Sequence, residues 1–103
     1  MHKNKVRVNY ERYNMSEARY DELAAFVRQY REFKRDKSAL SHERAELIEN
    51  CARDACPFDV FSAGLLRHLA DGLTFEQIAL PISRAEFYKQ RRRFFMLLNE
   101  RKP

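Results

Sequence analysis

Residues 80–98 read LPISRAEFYKQRRRFFMLL, and this stretch decides how the rest of the chain is interpreted. Ser83, followed three positions later by Glu86, fits a helix-capping box. A helix is therefore predicted to begin at Arg84. Pro81 stands just before it and favours a tight turn at the helix entry.

The predicted helix has two unlike faces. At about 100° per residue, Phe94 and Leu98 lie within about 20° of Phe87, and the three residues define a core stripe. The opposite face carries one small residue, three cations and a methionine: Ala85, Lys89, Arg92, Arg93 and Met96. One side of the helix is thus expected to be buried, and the other to present positive charge to the solvent.

Positive charge is concentrated on this helix. Residues 84–103 hold seven Lys or Arg and two Glu, and their net charge of +5 equals that of the whole chain. Residues 14–83 hold nine basic and twelve acidic side chains. A cationic excess on one terminal helix is typical of a phosphate-binding element, although a run of arginines can also be an ordinary solvated surface.

Two further helices are predicted immediately upstream, within residues 61–79. The first is apolar and ends at Gly72, which fits a left-handed C-terminal cap. Thr74 and Gln77 form a second capping box, so a short helix is expected over residues 75–79. A helix, a short helix, a turn and an exposed basic helix make up the helix-turn-helix layout.

The string TFEQIA at 74–79, followed by Ile82-Ser83-Arg84, resembles the helix-turn-helix of bacterial sigma factor region 4. The longer pattern over residues 80–98 is similar to small prophage-encoded proteins of Gram-positive bacteria, which are grouped with phage late-gene transcription regulators of the ArpU/RinA kind. The resemblance covers residues 61–100 and implies a DNA-binding transcription regulator of phage or prophage origin. Between Ala79 and Ile82 the chain has two residues fewer than the usual sigma-like pattern, so the positioning helix should be short.

A helix that binds duplex DNA in this way divides its contacts between the backbone and the bases. Phosphate contacts are predicted from five cations: Lys89, Arg92, Arg93, Arg101 and Lys102. Base-edge contacts are predicted from the exposed first turns: Arg84, Ala85, Tyr88 and Lys89. Arginine can read guanine, and alanine can contact the methyl group of thymine.

Two other charged residues of the helix are assigned structural roles. Arg91 lies about 40° from Phe87 around the helix axis, close to the core stripe. It is expected to pair with an acid of the preceding segment, such as Asp71 or Glu76. Glu86 is assigned to capping.

The composition predicts one all-α domain of five helices. The chain has 103 residues, 45% of them apolar, with only two Gly and three Pro and little strand-like alternation. Residues 1–13 are basic and lack a helical stripe, so they form either an arm that follows phosphates or a disordered terminus. Val6 and Val8 would also allow a short strand. Residues 14–103 form the domain, with the helix-turn-helix over about 61–99.

The first helix is predicted over about Met15 to Arg35, with Asn14 and Glu17 as its cap. It carries an apolar stripe rich in aromatic residues: Tyr20, Leu23, Phe26, Val27, Tyr30 and Phe33. That stripe could face the core or pack against a second copy, because small DNA-binding domains often bind as twofold dimers. The sequence leaves both possibilities open.

Two more helices follow in the middle of the chain. The second is predicted from His42 to about Asp54 or Ala55, with Ser41 as its cap and Pro57 stopping it. Asp59 is expected to cap the third. Four apolar residues of the third helix should face inward: Phe61, Leu65, Leu66 and Leu69.

The sequence predicts no enzyme, no cofactor and no metal site. The three histidines stand far apart, and no Gly-rich phosphate loop or nucleophile elbow is present. Cys51 and Cys56 are interpreted as reduced thiols. No apolar run approaches the roughly 18 residues of a membrane span, and no signal-peptide pattern occurs. These features predict a cytoplasmic protein that does not bind a membrane.

Two functions therefore stand at this point. The first is a sequence-specific DNA-binding transcription regulator. The alternative is a phage protein-interaction module that binds RNA polymerase or inhibits a host nucleic-acid-handling effector, because sigma-like domains also bind proteins. RNA binding is less favoured, since an all-α chain lacks the sheet-borne stacking aromatics of the common RNA modules.

Overall fold

The computed structural model describes residues 13–103, which fold into five helices and contain no strand. The longest unbroken helices are Arg84–Arg101 with 18 residues and Ala39–Ala55 with 17. The predicted all-α architecture is confirmed. Residues 1–12 of the predicted basic arm lie outside the described residues. The helices are α1, in two segments, Glu17–Arg28 and Tyr30–Arg35, then α2 Ala39–Ala55, α3 Asp59–Asp71, α4 Phe75–Ile78 and α5 Arg84–Arg101.

Helix α5 begins where the sequence predicts, because the Ser83 hydroxyl accepts the backbone N–H of Glu86 at 3.1 Å. Only this half of the predicted capping box is present in residues 13–103. The Glu86 carboxylate instead accepts a long hydrogen bond of 3.5 Å from Gln90 Nε2. Helix α4 has the complete box, in which the side chains of Thr74 and Gln77 each accept a backbone N–H of the other residue. Both predicted helix starts are thereby confirmed.

The caps of the first two helices differ from the prediction. Ser16, not Asn14, caps α1, and Asn14 adopts a left-handed conformation with φ of 57° that does not suit an N-cap. Ser38, not Ser41, caps α2. Ser41 lies in the first turn of α2 and is buried, and its hydroxyl donates to Asp36 Oδ2 at 2.7 Å. In both cases two polar residues compete for one cap, and the tertiary environment selects between them.

The predicted first helix is broken at Gln29, whose ψ of 4° departs from helical geometry. The N–H of Gln29 bonds to the carbonyl of Phe26, three residues back, and this tighter turn redirects the second segment onto α2. There Tyr30 donates its hydroxyl to Glu49 at 2.5 Å. Burial raises the pKa of Tyr30 to about 12, and the hydrogen bond to Glu49 adds to the shift.

The aromatic stripe of α1 is buried within a single copy of the chain. Its six residues are each exposed by 8% or less: Tyr20, Leu23, Phe26, Val27, Tyr30 and Phe33. The stripe therefore belongs to the core, and a homodimer would have to use another surface.

Helix α5 packs on α2 and contributes four fully buried side chains to the core. Arg101, at its end, reaches Cys51 and Asp54, and Gln90 lies beside Ala55, so both residues meet the carboxyl-terminal part of α2. The predicted register is confirmed on the buried side, where four side chains have no exposed surface: Phe87, Phe94, Phe95 and Leu98. On the opposite side Lys89 is exposed, whereas Arg92 is partly covered.

The entry to α5 is fixed by close packing of the α4–α5 turn against α3. A Cβ atom at Gly64 would lie 2.8 Å from Leu80 Cδ1, so any other residue at position 64 would force the Leu80 side chain to shift. Gly72 ends α3 with φ of 78°, as predicted. Ala79 ends α4 in a left-handed conformation after only four helical residues. The prediction of a short positioning helix is confirmed.

Replacing Ser83 with alanine should lower the free energy of unfolding by about 1 kcal/mol, because the first turn of α5 loses its hydroxyl acceptor. Urea denaturation followed by circular dichroism measures this change. Ser16→Ala, which removes the cap of α1, should have a similar cost. Only the Ser83 variant should also weaken the DNA binding expected of α5, since the loss of the cap loosens the start of that helix. An unchanged urea midpoint for Ser83→Ala would contradict the assigned start.

Candidate nucleic-acid interface

Three cations stand together on the outer face of α5. Lys89, Arg92 and Arg93 lie within about 100° of one another around the helix axis, and we call them the cationic stripe. Lys89 and Arg93 are exposed, and Arg92 is partly exposed. Across residues 13–103 none of the three has an ion-pair partner. Ala85 is exposed one turn before Lys89 on the same face. The stripe is thus available to an external anion.

The other residues predicted to contact bases are engaged at the first turn of α5. Arg84 forms an ion pair with Glu76 of α4 and lies 5.2 Å from the centre of the Phe75 ring. Tyr88 is half-buried, with its ring edge-on to Phe87. The pair between Arg84 and Glu76 is solvent-exposed, so its exchange for another partner costs little. The base-contacting roles of Arg84 and Tyr88 stay predictions.

The two cations at the carboxyl end of α5 hold the helix against the rest of the domain. Arg101 Nη1 lies 2.8 Å from Asp54 Oδ2, and this hydrogen bond raises the pKa of Arg101. Lys102 Nζ lies 3.6 Å from Glu22 and 5.0 Å from the centre of the Phe26 ring. The structure does not bring Arg101 and Lys102 into the cationic stripe, and their phosphate contacts stay a prediction.

The expected ion pair of Arg91 with an acid is wrong. Its guanidinium donates to the hydroxyls of Tyr13 and Tyr20, each at 2.6 Å, and lies 5.2 Å from the centre of the Phe95 ring. Arg91 is turned toward these aromatic side chains, whose hydroxyls accept from it and whose ring faces attract a cation, while its buried Nε has no partner within residues 13–103. The two acids named for it pair elsewhere, Asp71 with Arg31 and Glu76 with Arg84. Arg91 therefore positions α5 against α1.

A cleft of about 260 Å³ borders the cationic stripe, between the carboxyl end of α2 and the middle of α5. Gln90 lines it and is only 4% exposed. Within residues 13–103 its Oε1 has no hydrogen-bond donor, which is costly for a buried acceptor. The residues around the cleft include Asp54, Pro57, Glu86, Lys89 and Arg93. Sequence reasoning missed this cleft because the α2–α3 corner meets α5 only in the folded chain.

Two large apolar side chains are exposed at the same corner. Phe58 is 65% exposed and Val60 is 54% exposed, directly after the Pro57 that lines the cleft. Phe58 also occupies the N-cap of α3, where the sequence predicted Asp59; Asp59 is instead the first helical residue. The sequence could have indicated this surface, because an aromatic residue stands immediately before Asp59 at the start of a helix.

His68 links α3 to the start of α5. Its ring lies edge-on to Phe87, with centroids 5.1 Å apart, and Nδ1 is 2.7 Å from the carbonyl oxygen of Leu73. Burial lowers the pKa of His68, and the charge of Arg91 lowers it further, although the bond to Leu73 opposes the shift. The neutral ring is therefore the form that the fold accommodates.

The free energy of unfolding should rise with pH between the depressed pKa of folded His68 and the usual value of about 6.5. In that interval the unfolded chain binds a proton that the folded chain excludes. Acidification through the interval therefore lowers the free energy of unfolding. Urea denaturation at a series of pH values measures the slope. His68→Gln should flatten it. Equal slopes in the wild-type and variant proteins would contradict the assignment.

Within the described part of the chain, no group of three His, Cys, Asp or Glu side chains is placed to hold a metal ion. No helix among residues 13–103 is long and apolar enough to cross a membrane. Comparison with known protein families, with curated proteins and with solved structures gave no match to this chain.

Proposed function

We propose that the protein is a sequence-specific DNA-binding transcription regulator that docks the outer face of α5 on duplex DNA. The observation that carries this proposal is the cationic stripe of Lys89, Arg92 and Arg93 on a helix whose first turn is exposed. The resemblance of residues 61–100 to sigma-like regulators supports a role in transcription and an origin in a phage or prophage.

The division of charge within α5 supports docking in one orientation. Arg101 and Lys102 pair with acids of α1 and α2, so the charge at that end of the helix is partly neutralised. Lys89 and Arg93 stand one turn apart, about 6 Å along the axis, and can contact phosphates on one side of a groove. The field of the stripe therefore directs the middle of α5 toward the DNA backbone.

The residues ahead of the stripe supply the sequence-reading part of the proposal. Ala85 is small and exposed, so the first turn of α5 can approach base edges closely and contact a thymine methyl group. Arg84 can exchange its exposed pair with Glu76 for guanine. Because α4 has only four residues, the entry of α5 depends mainly on the packing of Leu80 against Gly64.

A second candidate function is a protein-interaction module that binds RNA polymerase or a host nucleic-acid-handling effector. The observation in its favour is the exposed apolar pair Phe58 and Val60, which follows Pro57 at the wall of the cleft. Such a surface also suits an acidic, apolar segment of a protein. The two functions differ in whether purified DNA alone is bound.

The test is fluorescence anisotropy of labelled duplex DNA titrated with the purified protein across a salt series. Three phosphate contacts should give a slope of about −2.7 in the log–log plot of affinity against salt concentration. Sequencing of genomic fragments captured by tagged protein should return a shared motif. Absence of binding at low salt, with helical circular dichroism intact, would overturn the proposal and favour the protein-interaction module.

A further inference from the structure

The exposed Phe58 is unfavourable in two ways at its position. It is 65% exposed, although burial of a phenylalanine side chain is energetically favourable. It also occupies the N-cap of α3, where Ser, Thr, Asp or Asn would stabilise the helix. Serine or threonine side chains cap four other helix starts in the described chain: Ser16, Ser38, Thr74 and Ser83. Departures from local preference of this kind are expected at functional sites.

The ring of Phe58 is held in place while one side stays open. It packs edge-on against Phe61, with centroids 5.5 Å apart and an interplanar angle of 77°. The preceding Pro57 lines the cleft that also contains Lys89 and Arg93. Phe58 is thus one residue along the chain from a wall of the cleft that the stripe lines. Proteins bind unstacked bases with cations that follow the phosphates and an aromatic ring that stacks on a base.

The cleft between the two features has unmet polar capacity. Within residues 13–103, the buried Oε1 of Gln90 has no hydrogen-bond donor, and Lys89 and Arg93 have no anionic partner within ion-pair distance. Two acids also line the cleft: Asp54 is already paired with Arg101, and Glu86 accepts from Gln90. A nucleotide could supply an anionic phosphate to Lys89 and Arg93, whereas an apolar partner could not.

We propose that Phe58 is the stacking platform for an unstacked base of the DNA whose backbone lies on the cationic stripe. This inference rests on the proposed DNA binding and makes it more specific, because the preferred ligand is a duplex that is locally opened. Leu40 provides a matched control, since it is 54% exposed in the first turn of α2. It lies about 22 Å along that helix from Ala55, at the opposite end from Phe58.

The experiment compares two labelled duplexes of the same sequence. One is fully paired, and the other carries a single bulged 2-aminopurine, whose fluorescence is quenched when an aromatic ring stacks on it. Wild-type protein should bind the bulged duplex about 5- to 150-fold more tightly and quench the probe, as expected for one stacked base. Phe58→Ala should lose that preference and the quenching while binding the paired duplex normally. Phe58→Tyr and Leu40→Ala should retain both.

Each contrary outcome has a distinct meaning. Equal affinity for the two duplexes, or a preference that survives in Phe58→Ala, would overturn the stacking role and leave DNA binding by α5 standing. Absence of binding to either duplex at low salt, with the protein folded, would overturn both proposals. Phe58 and Val60 would then be assigned to a protein interface.

Discussion

Replacing Phe94 with alanine should lower the free energy of unfolding by about 3–5 kcal/mol. Phe94 has no exposed surface, belongs to the hydrophobic core and contacts Phe95 edge-on with centroids 5.3 Å apart. Truncation removes apolar contact and leaves a cavity that the surrounding helices cannot fill completely. Because a domain of this size is stable by about 5–15 kcal/mol, much of the total would be lost.

Urea denaturation of the purified variant measures this loss. Met96→Ala is the matched control, since Met96 is 38% exposed two residues further along α5. It should cost less, because more than a third of the Met96 surface is exposed, whereas Phe94 has no exposed surface. If the midpoint of Phe94→Ala equalled that of wild type, the register of α5 would be contradicted. A large loss in Met96→Ala would contradict it as well.

Replacing Lys89, Arg92 and Arg93 together with alanine should weaken binding to every DNA duplex by about 500-fold at about 0.1 M salt. Each neutralised phosphate releases condensed counterions, so three lost contacts remove about 2.7 from the salt slope. The loss should not depend on sequence, because these cations contact the backbone. Fluorescence anisotropy across a salt series, on a specific and a scrambled duplex, measures both quantities.

The control removes three positive charges from another surface. Arg28, Arg35 and Lys37 are exposed and have no ion-pair partner in residues 13–103. Their replacement lowers the net charge by the same amount but should leave the salt slope nearly unchanged. If both triple variants lost affinity equally, binding would depend on net charge alone. The assignment of α5 as the docking helix would then be wrong.

The sequence predicted α5 well because two local signals agreed on it. A hydroxyl residue at the N-cap and a strict helical spacing of Phe87, Phe94 and Leu98 gave the same start and the same buried face. The caps of α1 and α2 were less predictable. Each had two polar candidates within a few positions, and folded contacts such as that between Ser41 and Asp36 chose between them.

The candidate site was only partly predictable, because pairing between distant residues decides which charges stay available. The sequence placed seven cations on or after α5 but could not show that Arg101 meets Asp54, 47 positions earlier. It also could not show that Arg91 meets Tyr20. These contacts arise from the packing of α5 on α2 and on α1, which no local pattern records. Phe58 was overlooked for the same reason, because the α2–α3 corner meets α5 only in the folded chain.

The contact of Gly64 with Leu80 has a consequence for natural variation. A side chain at position 64 would meet the side chain of Leu80, so the residue at one position limits which residues fit at the other. Descendants of this gene with alanine or a larger residue at position 64 are expected to carry a smaller residue than leucine at position 80. Such paired changes, 16 positions apart in the sequence, would indicate that the packing of this turn on α3 determines the direction of α5.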